Sequence, residues 1–523
     1  MSKRQEPARP PLRDTAGRRS LTVAVRCRYS EPRVSTGLPP FSNFFDIILR
    51  VAENLYDSIP YPTFPRLATH PDRMAAVAML FGIEPAPVDQ CRVLEIGCGN
   101  AGNLLPMAYA LPRSRFLGID LAETPIALAR ADIRALNLAN IEVAARDLRD
   151  LEPEAGQFDY IIAHGVYSWV PRDVRDSLLA LCRQQLAPSG VALVSYNLYP
   201  GRHMRQMLRE MLFQHTRGDQ PQERVEHARW FLGWLAKSCQ APASFRKMLE
   251  EDVATLLAYT DGGLAHDDLS EVNDPLYFRD FMTHAAAHGL QYLGDTTVDR
   301  MFDPRGLLQW LPDNRLEREQ YTDYLYLRSF RHTLLCRQEV PLHPSPRAET
   351  MERFYFSAPF RMVEGQLEGG RGVRIGAKQP NVEAVARALG ARYPLPVPFQ
   401  ELLPCVNSAE ELRQMLLVLI SVGFAECHTY RFPCQDSLSE RPRASALARY
   451  QAQRSLQVAN LVHALVDMDE FGRRLVLLLD GTRDRSTLAR DLAAGDGAPT
   501  PEEIAARLPA ALQRIAALGL LEG

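Results

Sequence analysis

No apolar run in the 523 residues is long enough to cross a bilayer. The longest, Leu416–Ala425, falls well short of the ~20 residues a helical span requires, so no membrane insertion is expected. Charge of one sign is also missing. Sixty Lys/Arg face 63 Asp/Glu for a net charge of −3, so no chain-wide field attracts nucleic acid or anionic membrane, and no nucleic-acid partner is expected. Cysteine is scarce: nine, an odd number, are scattered along the chain. That excludes a disulfide framework and predicts reduced thiols in a cytoplasmic compartment. Cys91 and Cys98 are seven apart, as are Cys427 and Cys434, which is not zinc-ligand spacing. What is present is ordinary globular composition, 46% hydrophobic and 24% charged, with length for three or four domains of roughly 100–200 residues each.

Residues 1–40 depart from that average, with nine Lys/Arg against three Asp/Glu and six prolines. Such a segment buries too little apolar surface to offset its ordering entropy, so 1–45 reads as a disordered basic extension. An arm for nucleic acid or membrane and a targeting peptide are the alternatives. The prolines and the lack of an amphipathic repeat speak against the latter.

Phe41, Phe44, Phe45, Ile48, Val51 and Leu55 suit one helix face, which Pro60 and Pro62 end. Thr69 is a candidate N-cap, with Pro71 in the first turn of a helix carrying Met74, Val77, Ala78, Met79 and Leu80. Arg92–Ile96 then reads as a buried strand running into Gly97-Cys98-Gly99-Asn100-Ala101-Gly102-Asn103 and a helix from Leu104. Glycines there let the backbone turn sharply and approach a ligand without a Cβ clash. A second strand, Phe116–Asp120, ends in a carboxylate 23 residues after Gly97, near the offset at which an acid accepts ribose hydroxyls. Three more strands end in polar residues: Ile141–Ala145 before Asp147-Leu148, Phe158–Ala163 before His164–Trp169, and Val191–Ser195 before Tyr196-Asn197. Five strands separated by helices predict a parallel, doubly wound sheet with its ligand outside the carboxyl ends. A dinucleotide oxidoreductase shares the glycine turn; Glu95 ahead of the glycines and the order of strand ends separate the two.

This pattern resembles the class I S-adenosylmethionine-dependent methyltransferases over roughly residues 90–200. The resemblance rests on Glu95-Ile96-Gly97-Cys98-Gly99, Asp120, Asp147-Leu148 and the Phe158-Asp159 strand. It implies S-adenosylmethionine as cofactor and a cofactor set of Glu95, Gly97, Cys98, Gly99, Asn100, Asp120, Leu121, Asp147, Leu148, His164 and Gly165. The turn would receive the methionine moiety, Asp120 the ribose, and Asp147 with Leu148 the adenine. Cys98 reads as small filler. Base-modifying enzymes of this class carry Asn/Asp-Pro-Pro-Tyr/Phe or a nucleophilic cysteine after the fourth strand, and this chain has neither. Tyr167 and Trp169 instead suit an alkyl ammonium through cation–π attraction, with packing beneath a loop the alternative.

A longer resemblance covers about 50–523. It rests on Tyr56-Asp57-x-x-Pro60-Tyr61-Pro62, Thr69-His70-Pro71-Asp72-Arg73, Ser195-Tyr196-Asn197-x-x-Pro200-Gly201, His266-Asp267-Asp268-Leu269, Val272-Asn273-Asp274-Pro275 and Phe330–Cys336. The chain is similar there to bacterial methyltransferases with a methyltransferase regulatory domain, a group that includes rickettsial protein-lysine methyltransferases. The implied reaction is methyl transfer to lysine ε-amines of a protein substrate. Tyr167 and Trp169 would form the catalytic slot, and Tyr61, Tyr196 and Asn197 would orient the amine; His266, Asn273 and Tyr277 are further contacts. A small-molecule methyltransferase and a non-catalytic cofactor-binding regulator remain open.

The fold expected is α/β: a Rossmann-like class I sheet with a helical insert and a C-terminal α+β winged-helix-like region. The core spans 46–202 with its N-terminal cap helices. Met204, Met207, Leu208, Met211 and Leu212 open a helical insert over 203–274, and 275–340 supplies the end of the sheet. His284 and His288 lie one helical turn apart, but no third ligand is visible, so no metal is expected. Winged-helix-like modules are expected over 350–435 and 445–523. Their helices, opening at Ser408-x-Glu410-Glu411 and Thr500-x-Glu502-Glu503, are apolar and acidic, which suits protein partners or a homodimer over DNA.

Overall fold

The computed structural model describes residues 61–522, apart from 62, 152–156, 219, 303–305, 312–313, 370–371, 377–379, 436–437 and 495–498. The basic extension and the helix expected over Phe41–Leu55 lie outside the described residues. Helix α1 (Pro71–Leu80) begins with its proline in the first turn, where the missing N–H costs nothing. Its cap is His70, not Thr69: the ring Nδ1 accepts the Asp72 N–H at 3.1 Å. Thr69 is drawn back into a 3-10 turn, its hydroxyl donating to the Arg66 carbonyl at 2.9 Å.

Strand and helix then alternate through β1 (Arg92–Ile96), α2 (Leu104–Ala110), β2 (Arg115–Asp120), α3 (Glu123–Ala135), β3 (Ile141–Ala145), β4 (Phe158–Ala163), α4 (Arg172–Gln185) and β5 (Leu186–Asn197). After β5 the chain leaves the sheet for α5 (His203–His215), α6 (Pro221–Ser238), α7 (Ala243–Leu257) and α8 (Asp261–Asp268). It returns through α9 (Phe278–Ala287), β6 (Leu290–Asp295), α10 (Arg315–Tyr326) and β7 (Phe330–Arg337). The seven strands are ordered β3-β2-β1-β4-β5-β7-β6. The first five are parallel, and β7 runs antiparallel to both β5 and β6, with Ser195 opposite His332.

Both faces of the sheet are buried, which explains the near-continuous apolar strands. Val93, Tyr160, Ile162 and Leu193 face one core with α1 and α2. Leu94, Ile96, Ile161 and Val194 face another with Leu178 of α4 and Phe278 and Phe281 of α9. The insert has a core of its own, in which Leu208 and Leu212 meet Val253 and Leu256. Arg205 fastens it, bonding both oxygens of buried Asp268 at 2.6 and 2.7 Å.

The C-terminal third forms two further units. The first has β8 (Tyr355–Ser357), the hairpin strands β9 (Phe360–Val363), β10 (Gln366–Gly369) and β11 (Arg374–Gly376), α11 (Pro380–Arg392), β12 (Val397–Pro398), α12 (Phe399–Leu402), α13 (Ala409–Ser421) and β13 (Glu426–His428). The second has α14 (Ala446–Ala452), the hairpin β14 (Gln457–Ala459) and β15 (Leu465–Asp467), α15 (Glu470–Leu478), α16 (Arg485–Leu492) and α17 (Pro501–Ala517). Ser408 caps α13, and Thr500 with Glu503 forms a capping box on α17. The first unit is bolted to α1: Asp72 lies 2.8 Å from His428 and accepts the Thr429 N–H at 2.6 Å. No helix among the described residues is long and apolar enough to cross a membrane.

The tightest polar knot is Arg331 of β7. Fully buried, it bonds Asp323 at 3.0 Å and Glu319 at 2.6 Å on α10, with its guanidinium 4.1 Å over the Phe278 ring. Arg331→Leu strands Glu319 out of water, leaves Asp323 only its longer pair with Arg328 at 3.4 Å, and is expected to destabilise the chain by about 3–5 kcal/mol in chemical denaturation. A loss under about 1 kcal/mol would contradict this account.

Candidate active site

The strand order reverses between β1 and β4, and the crevice at that switch point opens at the carboxyl end of β1. The turn leaving β1 depends on glycine. Gly97 and Gly99 adopt φ of 74° and 53°, left-handed values that strain any residue with a Cβ. At Gly102 a Cβ would come within 2.3 Å of the Thr63 carbonyl, so residues before α1 lie directly on the turn. The Asn100 side chain accepts the Gly102 N–H at 3.2 Å, closing the turn on itself. Cys98 is buried, its thiol pushed well up by that burial, which fits filler and no thiolate.

Asp120, at the end of β2, accepts the Gly99 N–H at 2.8 Å and the Ala122 N–H at 3.0 Å. Burial pushes its carboxyl upward in spite of these bonds. Leu121 stands exposed beside it, and Leu148 is buried beneath the next strand end. Asp147 accepts from Arg149 at 2.6 Å, and that hydrogen bond holds it below the usual range. Gly165, φ 71°, donates its N–H to Ser195 Oγ at 2.8 Å and joins the β4 loop to β5.

Glu95 is buried, and its Oε1 accepts from Asn103 Nδ2 at 2.7 Å while Oε2 has no partner among the described residues. Burial pushes the carboxyl up to about 7, against the Asn103 bond and the charge of Arg66. Asn103 Oδ1 in turn accepts the Arg66 N–H at 2.9 Å and lies 3.0 Å from Nε2 of His463. His463 is at the tip of the β14–β15 hairpin, buried, with a left-handed φ of 60°. Burial pushes its imidazole well below the ordinary value, so the ring is neutral and donates. Sequence reasoning did not find His463: it lies 360 residues from Asn103, and no local pattern marks it.

Past β4, His164 stacks on His332 of β7 at 5.2 Å, and burial keeps both imidazoles neutral, His332 down to about 4. His164 Nδ1 and the indole N–H of half-buried Trp169 are buried without partners among the described residues. The structure withdraws Tyr167 and Tyr196 from this mouth. Tyr167 is buried, its hydroxyl 2.7 Å from His284 Nδ1. Tyr196 is fully buried, bonded to Thr333 Oγ1 at 2.8 Å and stacked on Phe281 at 4.1 Å. Side chains alternate along a strand, so Tyr196 points into the α4–α9 core while Ser195 and Asn197 point the other way.

Asn197 carries the site into the insert. Its Nδ2 donates to Asn273 Oδ1 at 2.8 Å, and Asn273 Nδ2 donates to the Asp267 carbonyl at 2.8 Å. Asp267 receives the Tyr61 hydroxyl at 3.4 Å, and the Tyr61 ring meets His266 edge-on at 5.6 Å. Asp267 forms no ion pair with any described residue; burial, with the charge of Asp268, pushes it up to about 6. Tyr277 lies farther out, against Tyr199 and Tyr324. The charge of Arg66 acts on Glu95, His164 and Asp267 alike. Asp267 belonged to a recognised motif, but only the tertiary pairing of Asp268 with Arg205 distinguishes the two acids.

Residues 93–190 match the family described as a methyltransferase domain, 260–337 that described as a predicted methyltransferase regulatory domain, and 440–518 that described as a PKMT, C-terminal winged helix domain. Among curated proteins the chain is similar to the uncharacterized protein RP028 of Rickettsia prowazekii, 34% identical over 232 residues, 44% of this chain and 93% of that one. It is 29% identical to RP789 of the same organism over 469 residues, 83% of this chain and 85% of that one. Among solved structures it is similar to PKMT2 from Rickettsia typhi in complex with AdoHcy, at a TM-score of 0.78 and 25% identity over 89% of this chain and 100% of that one.

Glu95 makes stability pH-dependent in a defined direction. Folding raises its pKa from the ordinary 4.5 to about 7, so between those values the folded chain holds a proton that the unfolded chain has released. Stability from this group is therefore full below the lower value and lost as pH rises through the upper one. Glu95→Gln is expected to stabilise the protein relative to wild type, by up to about 3 kcal/mol, with the gain growing from pH 5 to pH 7.5 in calorimetry. A gain independent of pH would refute the assignment.

Proposed function

We propose that this chain, which belongs to the class I S-adenosylmethionine-dependent methyltransferases carrying a methyltransferase regulatory domain, methylates lysine ε-amines of a protein. S-adenosylmethionine supplies the electrophilic methyl group. The residues of the crevice fit it. The orphaned Glu95 Oε2 is a seat for its ammonium, and Gly97 and Gly99 clear a path for it. The Asp120 oxygens keep lone pairs for a diol after accepting from Gly99 and Ala122. Cys98, Asn100, Leu121, Asp147, Leu148, His164 and Gly165 complete the cofactor set we assign.

Asp267 carries the lysine reading. A lysine amine holds its proton to a pKa of about 10.4 and must lose it before attacking. A half-buried carboxylate without an ion-pair partner, backed by Tyr61, is an anchor for that nitrogen, and at about 6 it is ionised at neutral pH. With the amine N–H held by Asp267 and the stem beside Trp169, the nitrogen lone pair is left for the methyl group. The ammonium proton passes to water before attack; desolvation and the sulfonium charge lower the amine pKa against the pull of ionised Asp267, and orientation supplies much of the acceleration. Asn197 acts through Asn273 as a positioning residue. The likeness to a chain named PKMT2 supports the same reading.

We also place the protein in the cytoplasm, consistent with eight described cysteines, none of which forms a disulfide with another described residue. Exposed Trp230 and Trp234 on the insert support a homodimer. The division we propose is a core over 46–202 and 275–340, an insert over 203–274, and modules over 350–435 and 445–523.

Labelled S-adenosylmethionine incubated with a lysate lacking the enzyme tests the acceptor. Label on protein lysines, lost with Asp120→Ala, is the expected outcome; label confined to small molecules sinks the lysine reading. Asp267→Asn separates anchor from scaffold. Turnover is expected to fall about 100-fold while melting rises a few degrees, because a buried carboxylate raised to about 6 destabilises the fold at neutral pH. A drop in melting temperature together with turnover would mark Asp267 as structural.

A further inference from the structure

A second cluster lies on the opposite side of the sheet from the β1 turn's α1 core, between α4 and α9. Asp176 of α4 meets His284 of α9 and His288, which follows its last turn. His284 Nε2 is 2.6 Å from Asp176 Oδ1 and His288 Nε2 is 3.7 Å from the same oxygen. All three donor atoms lie within 4.8 Å of one another. Two side chains are only 20% and 23% exposed, while the carboxylate is 51% exposed and opens the cluster to solvent.

We propose that Asp176, His284 and His288 form a binding site for one divalent transition metal ion, with zinc the best match. Two imidazole nitrogens and one carboxylate oxygen are the borderline donor set that zinc prefers over magnesium or calcium. A tetrahedral ion bound at about 2.0–2.1 Å spaces its donors by roughly 3.3 Å, between the two distances already present, so small side-chain rotations suffice. The remaining position falls on the solvent side and takes water.

The neighbouring hydroxyl is the second observation. Tyr167 Oη lies 2.7 Å from His284 Nδ1, the ring nitrogen turned away from Asp176. A phenol oxygen can accept a hydrogen bond as well as donate one. With the imidazole proton on Nδ1 and donated to Tyr167, the Nε2 lone pair is free for the ion. A ligand histidine oriented by a hydrogen bond at its other nitrogen is the usual support of a built site. Tyr167 sits in the loop after β4 that also carries His164 and Trp169. An ion here ties α4 and α9 to that loop without entering the crevice, and it gives Tyr167 a role that its burial denies it at the mouth.

The test uses the full chain, stripped with a chelator, dialysed, and titrated with zinc in calorimetry. One equivalent is expected at micromolar affinity or tighter, with melting raised on loading. His288→Ala and Asp176→Asn are each expected to weaken zinc at least tenfold while leaving S-adenosylhomocysteine binding and the far-UV spectrum unchanged. These two are preferred to His284→Ala, which also removes the Tyr167 partner. X-ray absorption of the loaded protein should show nitrogen and oxygen neighbours only. Wild-type affinity no better than that of both variants, or sulfur in the coordination shell, would overturn the proposal.

Discussion

Asn103 donates to Glu95 and accepts from the Arg66 backbone and His463, and the crevice depends on that one buried amide. Taking the Glu95 carboxyl out of water is costly, and among the described residues Asn103 makes its only side-chain hydrogen bond. The same side chain also donates to Thr69. Four elements therefore converge: the segment before α1, strand β1, the start of α2 and the sequence-distant β14–β15 hairpin. Because unpaired buried polar groups cost far more than paired ones return, the four are held cooperatively.

That convergence explains why the C-terminal units are not simply appended to the sheet. Asp72 with His428 and Thr429, Arg73 with Glu426 at 2.5 Å, and Asp132 with Tyr450 at 2.6 Å span the same boundary. One apolar cluster also runs from Met74 and Val93 through Phe356 and Leu416 to Ala459. The hairpin tip is thus a structural wall of the cofactor turn. The insert is tied to β5 through Asn197, Asn273 and the Asp267 carbonyl.

The parts legible in the sequence are those whose cause is local. A strand buried on both faces reads as an apolar run, a turn that needs left-handed backbone reads as glycine, and Asp120 ends the second strand where the spacing from that turn led it to be expected. Capped helices announce themselves in the same way, as Ser408 and Thr500 did. The parts that were not legible depend on register and distance. Tyr167 and Tyr196 have the right chemistry in the right loops, but strand alternation and packing against Phe281 turn them inward. The α1 cap moved by one residue because Thr69 found a carbonyl three residues back.

The sequence by itself determined the sheet, the glycine turn, the acid after β2 and the family, because periodicity, backbone freedom and spacing are properties of neighbouring residues. Tertiary structure decided which polar groups do something with that scaffold. Pairing singled out Asp267 from Asp268, which Arg205 holds, and burial raised Glu95. Chain return brought His463 to Asn103 across 360 residues and set Asp176 beside two histidines more than a hundred residues on. Electrostatic character depends on exclusion from water and on what stands within a few ångströms, and neither is written in the order of the residues.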